Sequence, residues 1–245
     1  MSVEPTRTPS TEASAAKRPS IKSSRRRLNR FSLRYFSGDN LFAAVGRAVC
    51  RAETLPRREL FESWEVAKRI RDQARGRPIY ELAAGHGFLA ALMLILDESI
   101  PHAVCVDRSK PLSHDRLVEA LVEDWPRLRG RVLYREEAIE GVEIPPEALA
   151  VSVHGCGSVT DTVLDKALAV RCPVAVLPCC HDFDKSEDGG LGGWLGSRLA
   201  IDVARANRLT AAGYEITTTT IPDEITQRNR LLIGGPRPTI NAERS

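Results

Sequence analysis

IYELAAGHGFLA, residues 79–90, runs from a short apolar strand, through a turn holding Gly85 and Gly87, into an apolar helix. A chain leaving a parallel strand must turn sharply before a helix can begin, and a ligand reaches the backbone there only where side chains are missing. Asp107 ends the next apolar stretch, AVCVD. In a parallel sheet that carboxylate stands beside the glycine turn and can accept hydrogen bonds from both hydroxyls of a ribose. Turn and acid together imply an adenosine-containing ligand.

Downstream of this stretch, apolar runs and helical periodicity alternate. Strands are expected at 79–83, 103–107, 131–135, 149–154, 173–178, 214–221 and 229–234, with helices at 88–97, 112–124, 160–170 and 196–212 between several of them. Upstream, Leu41, Phe42 and Val45, then Leu60, Trp64, Ala67 and Ile70, recur at turn spacing, so 39–75 reads as helices that precede the sheet and cover it. The alternation predicts an α/β, Rossmann-like fold: seven strands, mostly parallel, with helices on both faces. No helix separates GYEITTTTIP from NRLLIGG, which makes the last strand antiparallel, as class I methyltransferase sheets end.

GHGFLA also fits the dinucleotide pattern G-x-G-x-x-A with an acid about twenty residues on. Glu81 in an E-x-x-x-G-x-G arrangement, the leading helices and the antiparallel ending favour S-adenosylmethionine instead. The cofactor-binding candidates are Glu81, Ala83, Gly85, Gly87, Asp107, Glu137 just after the third strand, and His154. Glu136 is an alternative to Glu137, and either is also readable as a solvated loop charge.

Two tetrads follow: His154-Gly155-Cys156-Gly157 after AVSV, and Pro178-Cys179-Cys180-His181 after VAVL. Neighbouring parallel strands would bring both to the rim that carries the glycine turn, and Thr160 would cap the helix between them. Three readings compete. A metal site is not expected, because there is no C-x-x-C pair and adjacent cysteines seldom chelate one ion. Cys179 or Cys180 activated by a histidine would be a nucleophile, which methyl transfer does not require. A wall that shapes the acceptor site is preferred, with His154 and His181 taking up a proton and Cys179 and Cys180 beside them. The polar, glycine-rich stretch 181–197 suits a lid or a long connection.

With 245 residues, 42% hydrophobic and 27% charged, the chain supports one folded domain. Its longest apolar run, Phe88–Leu96, is half a membrane span, so no membrane association is expected. Residues 1–35 hold nine Lys or Arg against Glu4 and Glu12, a charge of +7 within a total of +3. That composition predicts a disordered basic tail over 1–35 before a domain at 36–238 and a short tail at 239–245. Arg25, Arg26 and Arg27 make RNA a candidate partner, beside the plainer reading of a solvated tail or a transit peptide. Six cysteines without framework spacing, and no secretory segment, point to reduced thiols and a cytoplasmic setting.

ELAAGHGFLA, HGCGSVTD and PCCH, followed by Ile201-Asp202, Arg205 and the Pro222–Asn229 ending, resemble one family. It is the methyltransferase-like domain of the methyltransferase-like 25 proteins and of the glutathione S-transferase C-terminal domain-containing protein; a distant branch is a tRNA 2′-O-methyltransferase. The resemblance spans about residues 38–235. It implies a class I S-adenosylmethionine-dependent methyltransferase acting on an oxygen or nitrogen, with Glu81, Gly85, Gly87 and Asp107 at the cofactor and His154, Cys179, Cys180 and His181 facing the acceptor. The tRNA enzymes carry a second histidine after P-C-C-H, where this chain has Asp182, and N-P-P-Y is absent. The alternatives are an RNA-binding module that keeps the fold without catalysis, and an NAD-dependent oxidoreductase.

Overall fold

The computed structural model describes residues 21–237. Two helices, α1 (Leu41–Ala52) and α2 (Arg57–Ala74), precede β1 (Ile79–Leu82), α3 (Phe88–Leu96), β2 (Ala103–Asp107), α4 (Leu112–Asp124), β3 (Val132–Glu136) and β4 (Leu149–Ser152). Then come α5 (Val159–Val170), β5 (Val174–Val176), α6 (Gly192–Leu195), α7 (Ser197–Ala211), β6 (Tyr214–Thr220) and β7 (Arg230–Pro236). The strands form one sheet in the order β3-β2-β1-β4-β5-β7-β6. β1 to β5 pair in parallel, and β7 lies antiparallel between β5 and β6. This is the expected Rossmann-like class I methyltransferase sheet.

Period-2 alternation sorts the sheet's side chains between two cores. Ile79, Ala103, Cys105, Leu149 and Val151 face a layer built from α1, α2, α3 and α4. Tyr80, Leu82, Val104, Val106 and Ala150 face the other way, onto Val163, Leu164 and Ala167 of α5 and Leu209 of α7. The run Phe88–Ile95 is buried all round, which is why α3 reads as uniformly apolar. Glu81 therefore points, by its parity with Ile79, into the layer under α2 and α3. None of the described helices is long and apolar enough to cross a membrane.

The expected boundary at residue 35 needs correction. From residue 21 the backbone is held down: Leu28 is fully buried, Leu28 N–H donates to Leu55 O at 2.9 Å, and Arg57 and Arg58 N–H donate to Arg26 O and Ser24 O at 3.0 Å. A buried leucine and this short ladder to the α1–α2 link and the first turn of α2 overcome a composition that otherwise disfavours order. Residues 1–20 and the expected tail 239–245 lie outside the described residues.

Candidate active site

The glycine turn is built from left-handed backbone: φ is +54° at Ala83, +49° at Gly85 and +71° at Gly87. The two glycines are needed for different reasons. A Cβ on Gly87 would stand 2.6 Å from Cys105 Sγ and 3.0 Å from His114 Nδ1, whereas one on Gly85 would meet nothing within 4 Å. Gly87 serves packing of the turn against β2 and α4, and Gly85 borders open space. Ala83 holds a conformation that favours glycine, a local strain located beside that space.

Asp107 ties the turn to β2. Its Oδ2 accepts from Gly85 N–H at 2.9 Å and its Oδ1 from Arg108 N–H at 2.8 Å. Glu137 N–H in turn donates to Asp107 O at 3.0 Å, while the Glu137 side chain lies 3.9 Å from Arg135. Glu136 is engaged elsewhere, accepting from Lys110 N–H.

A cavity of about 200 Å³ opens beside Gly85; Glu81, Ala83, His86, Phe88 and His154 are in its wall, together with Glu59 of α2. Asp107 stands outside this lining, joined to it through its bond to Gly85. Glu81 is only 5% exposed and its Oε2 accepts from Ala90 N–H at 2.8 Å, so it also caps the start of α3. Burial pushes its pKa up to about 8 against the pull of that N–H donor.

A second cavity, of about 320 Å³, adjoins the first at Glu59 and His154 and is lined further by Arg25, Arg58, Glu62, Cys179 and Arg228. His154 thus stands where the two spaces meet. Its Nε2 and Glu62 Oε2 lie 3.8 Å apart, and both are buried atoms without a hydrogen-bond partner. Burial, helped by the Arg58 charge, lowers the His154 pKa to about 4, so the imidazole is neutral at neutral pH. Burial raises Glu62 as well, opposed by Arg58, whose Nε donates to Glu62 Oε1 at 2.7 Å. Glu59 is raised to about 7, by burial first and by Glu62 second.

The Cys tetrads meet as expected at the ends of β4 and β5. Cys156 Sγ and Cys179 Sγ are 3.2 Å apart, and Gly157 N–H donates to Cys180 Sγ at 3.1 Å. Burial, then crowding by neighbouring thiols, raises the pKa of Cys179. That leaves a neutral thiol, which argues against a nucleophilic thiolate. Thr160 does not cap α5; it lies inside the helix and donates from Oγ1 to Gly155 O at 2.8 Å.

His181 does not join His154. Its side chain is 4% exposed, with Nε2 2.7 Å from Asp202 Oδ1, and Asp202 also accepts from Arg230 Nε at 2.6 Å. Arg205, 2% exposed at its side chain, completes this network through Asp202 and Asp161. His181 borders a different cavity, with Phe183, Arg198 and Leu199. The expectation that the two histidines line one crevice is corrected: Asp202 of α7 holds the His181 ring at this cavity, away from the two that His154 lines. The stretch 181–197 is pinned by Ser186 Oγ donating to Asp161 Oδ2, with Trp194 89% exposed.

Glu59, Glu62 and Arg58 escaped the sequence reading. They look like the solvated face of an amphipathic helix, although their i, i+3 and i, i+4 spacing beside Leu60 was the available signal.

No protein-family model matches the chain, and no curated protein matches it by sequence. Solved structures similar in fold include an O-methyltransferase family protein from Burkholderia thailandensis, 17% identical over 78% of this chain, TM-score 0.45. Another is the B. subtilis M1A22 tRNA methyltransferase TrmK, 12% identical over 70% of this chain, TM-score 0.49. A third is M. capricolum TrmK with S-adenosyl-homocysteine, 12% identical over 69% of this chain and 66% of that one, TM-score 0.44. The chain spans 62% and 65% of the lengths of the first two.

Proposed function

We propose that this chain is an S-adenosylmethionine-dependent methyltransferase of the methyltransferase-like 25 type. The observation that carries the proposal is the junction at His154, where a cavity beside the glycine turn adjoins one that reaches Cys179. One space suits a methyl donor and the other its acceptor. The sheet order supports this over the NAD reading, since a dinucleotide sheet runs 3-2-1-4-5-6 without an antiparallel strand inserted before the last.

The residues present fit the cofactor. Open space at Gly85 admits a ligand to the backbone, Asp107 retains lone pairs for ribose hydroxyls, and Glu81 presents a carboxyl for an ammonium group. Ala83 and Gly87 shape the turn, and Glu137 braces Asp107 from behind. When bound, S-adenosylmethionine supplies an electrophilic methyl carbon on a sulfonium. The protein contributes chiefly position. His154 Nε2, neutral and unpartnered, accepts the proton that an oxygen or nitrogen acceptor must release, and Glu62 stabilises the imidazolium that results. Cys179 walls the acceptor space with Cys180 next to it, while His181 positions their loop through Asp202.

Arg25, Arg58 and Arg228 around the acceptor cavity favour a substrate carrying phosphate, and RNA is the class we propose. Reduced thiols fit a cytoplasmic setting. The test is transfer of labelled methyl groups from S-adenosylmethionine to RNA, protein and small-molecule fractions, alongside calorimetry with S-adenosylhomocysteine and NAD. Tight NAD binding with no binding of S-adenosylhomocysteine would overturn the reading. Binding without any transfer would leave the non-catalytic RNA-binding module.

A further inference from the structure

We propose that Cys156, Cys179 and Cys180 form a trithiolate site for a divalent thiophilic cation, zinc in the first instance, with one coordination position open to the acceptor crevice. Their three Sγ atoms lie within 4.8 Å of one another. A zinc–sulfur bond of about 2.3 Å and a tetrahedral angle require sulfurs about 3.8 Å apart. The Cys156–Cys179 pair, at 3.2 Å, needs to open by less than an ångström.

The sheet fixes this juxtaposition. β4 and β5 are parallel neighbours with Ser152 opposite Val176, and Leu177 N–H donates to Ser152 O at 2.9 Å, so the two tetrads leave the sheet side by side. Twenty-two residues separate Cys156 from Cys179 in sequence, which hides the site from a search for C-x-x-C.

Two features favour a metal over three idle thiols. Gly157 N–H already donates to Cys180 Sγ, the kind of outer-shell hydrogen bond that steadies a ligating thiolate. The guanidinium of Arg228 donates to Cys179 O. Three thiolates around a divalent ion leave one net negative charge, which that guanidinium offsets. Binding converts three S–H groups to thiolates and releases three protons to solvent, with no change of oxidation state.

Among the described residues no fourth His, Cys, Asp or Glu joins the group. Cys156 is exposed and Cys179 lines the 320 Å³ cavity, so the fourth position faces water and that space. Three protein ligands with one open position is the pattern of a zinc site that takes an exchangeable ligand. The ion site stands on the thiols alone; only the identity of the space it faces as the acceptor's rests on the proposed function.

The test uses the full chain, kept reduced with a phosphine and titrated with Co²⁺, then displaced by Zn²⁺. The expected result is one equivalent bound, with thiolate-to-cobalt charge-transfer absorption and the intense visible bands of tetrahedral coordination. Cys156→Ser, on an exposed side chain, should weaken binding by more than about 100-fold, beyond the usual effect of outer-shell partners. Cys179→Ser should do the same, while Cys50→Ala leaves the titration unchanged; circular dichroism checks that each variant is folded. Absence of charge-transfer absorption, or binding indifferent to both serine variants, would overturn the site. So would recovery of Cys156 and Cys179 as a disulfide that persists under the reductant.

Discussion

Gly85 donates its backbone N–H to Asp107 Oδ2 at 2.9 Å, so the residue that bares the backbone to a ligand is held by the acid expected to bind it. Asp107→Asn keeps the shape and removes the charge. A hydrogen bond to a charged group contributes about 1.5–3 kcal/mol. The variant should therefore bind S-adenosylhomocysteine about tenfold to a hundredfold more weakly in calorimetry, with a small fall in melting temperature from the loosened turn. Unchanged affinity would remove Asp107 from the cofactor site.

The two turn glycines should separate in mutation. Gly85→Ala places a Cβ in open space at φ +49°, which costs about 1–2 kcal/mol of backbone strain, and it should fold yet bind S-adenosylhomocysteine poorly. Gly87→Ala adds a 2.6 Å collision with Cys105 Sγ. Overpacking of that kind adds about 1–3 kcal/mol. Urea unfolding should rank Gly87→Ala as the less stable of the two, and the reverse order would refute the division of roles.

How far the sequence disclosed the fold depends on how local the signal was. Strand and helix periods, together with the missing helix before Asn229-Arg230, were enough for the sheet and its antiparallel strand. Gly85, Asp107 and the paired tetrads were legible because a parallel sheet brings strand ends to one rim. Arg58, Glu59 and Glu62 were not, since the charges of α2 read as solvated until the sheet closes over them. The separation of His181 from His154 was hidden as well, because it depends on Asp202, twenty-one residues away on α7. Residues 21–35 misled for a related reason: the fully buried Leu28 and its backbone bonds outweigh the polar composition around it.

His154 has its pKa depressed to about 4, by burial first and Arg58 second. The base form is therefore present above that value, and activity should rise through pH 4 and stay level across 6.5, where an ordinary histidine titrates. His154→Asn should lower kcat by about 10²- to 10⁴-fold, the range for loss of a general base. A pH–rate profile of kcat/KM with its acid limb at 6.5 would place the base elsewhere.

Glu81 links stability to pH with the opposite sign from a salt-bridged acid. Its folded pKa, about 8, lies above the unfolded value of 4.5, so the folded state binds more protons between them. Stability contributed by this group is complete below about 4.5 and falls as pH rises towards 8. Glu81→Gln should reduce that slope in denaturant unfolding measured from pH 5 to 8, most clearly above pH 7, where Glu59, raised to about 7, no longer adds to it. A variant as pH-sensitive as the parent would show that Glu81 is not the source.

Asp202 gathers His181, Arg230 and Arg205 on one carboxylate. Burial would raise its pKa, but its bonds and charge contacts with His181 and Arg230 prevail and lower it. Its contribution is thus present above the unfolded carboxylate value and lost as pH falls through the folded one. Asp202→Ala leaves His181 Nε2 without an acceptor and releases Arg230, while Arg205 keeps its two bonds to Asp161. Leaving a buried donor such as His181 Nε2 unpaired costs about 1–3 kcal/mol. Thermal unfolding should register that loss while S-adenosylhomocysteine affinity stays near the parent's, because the network lies off the crevice that His154 joins to the glycine turn. An unchanged melting temperature with lost affinity would instead place Asp202 and His181 at the ligand.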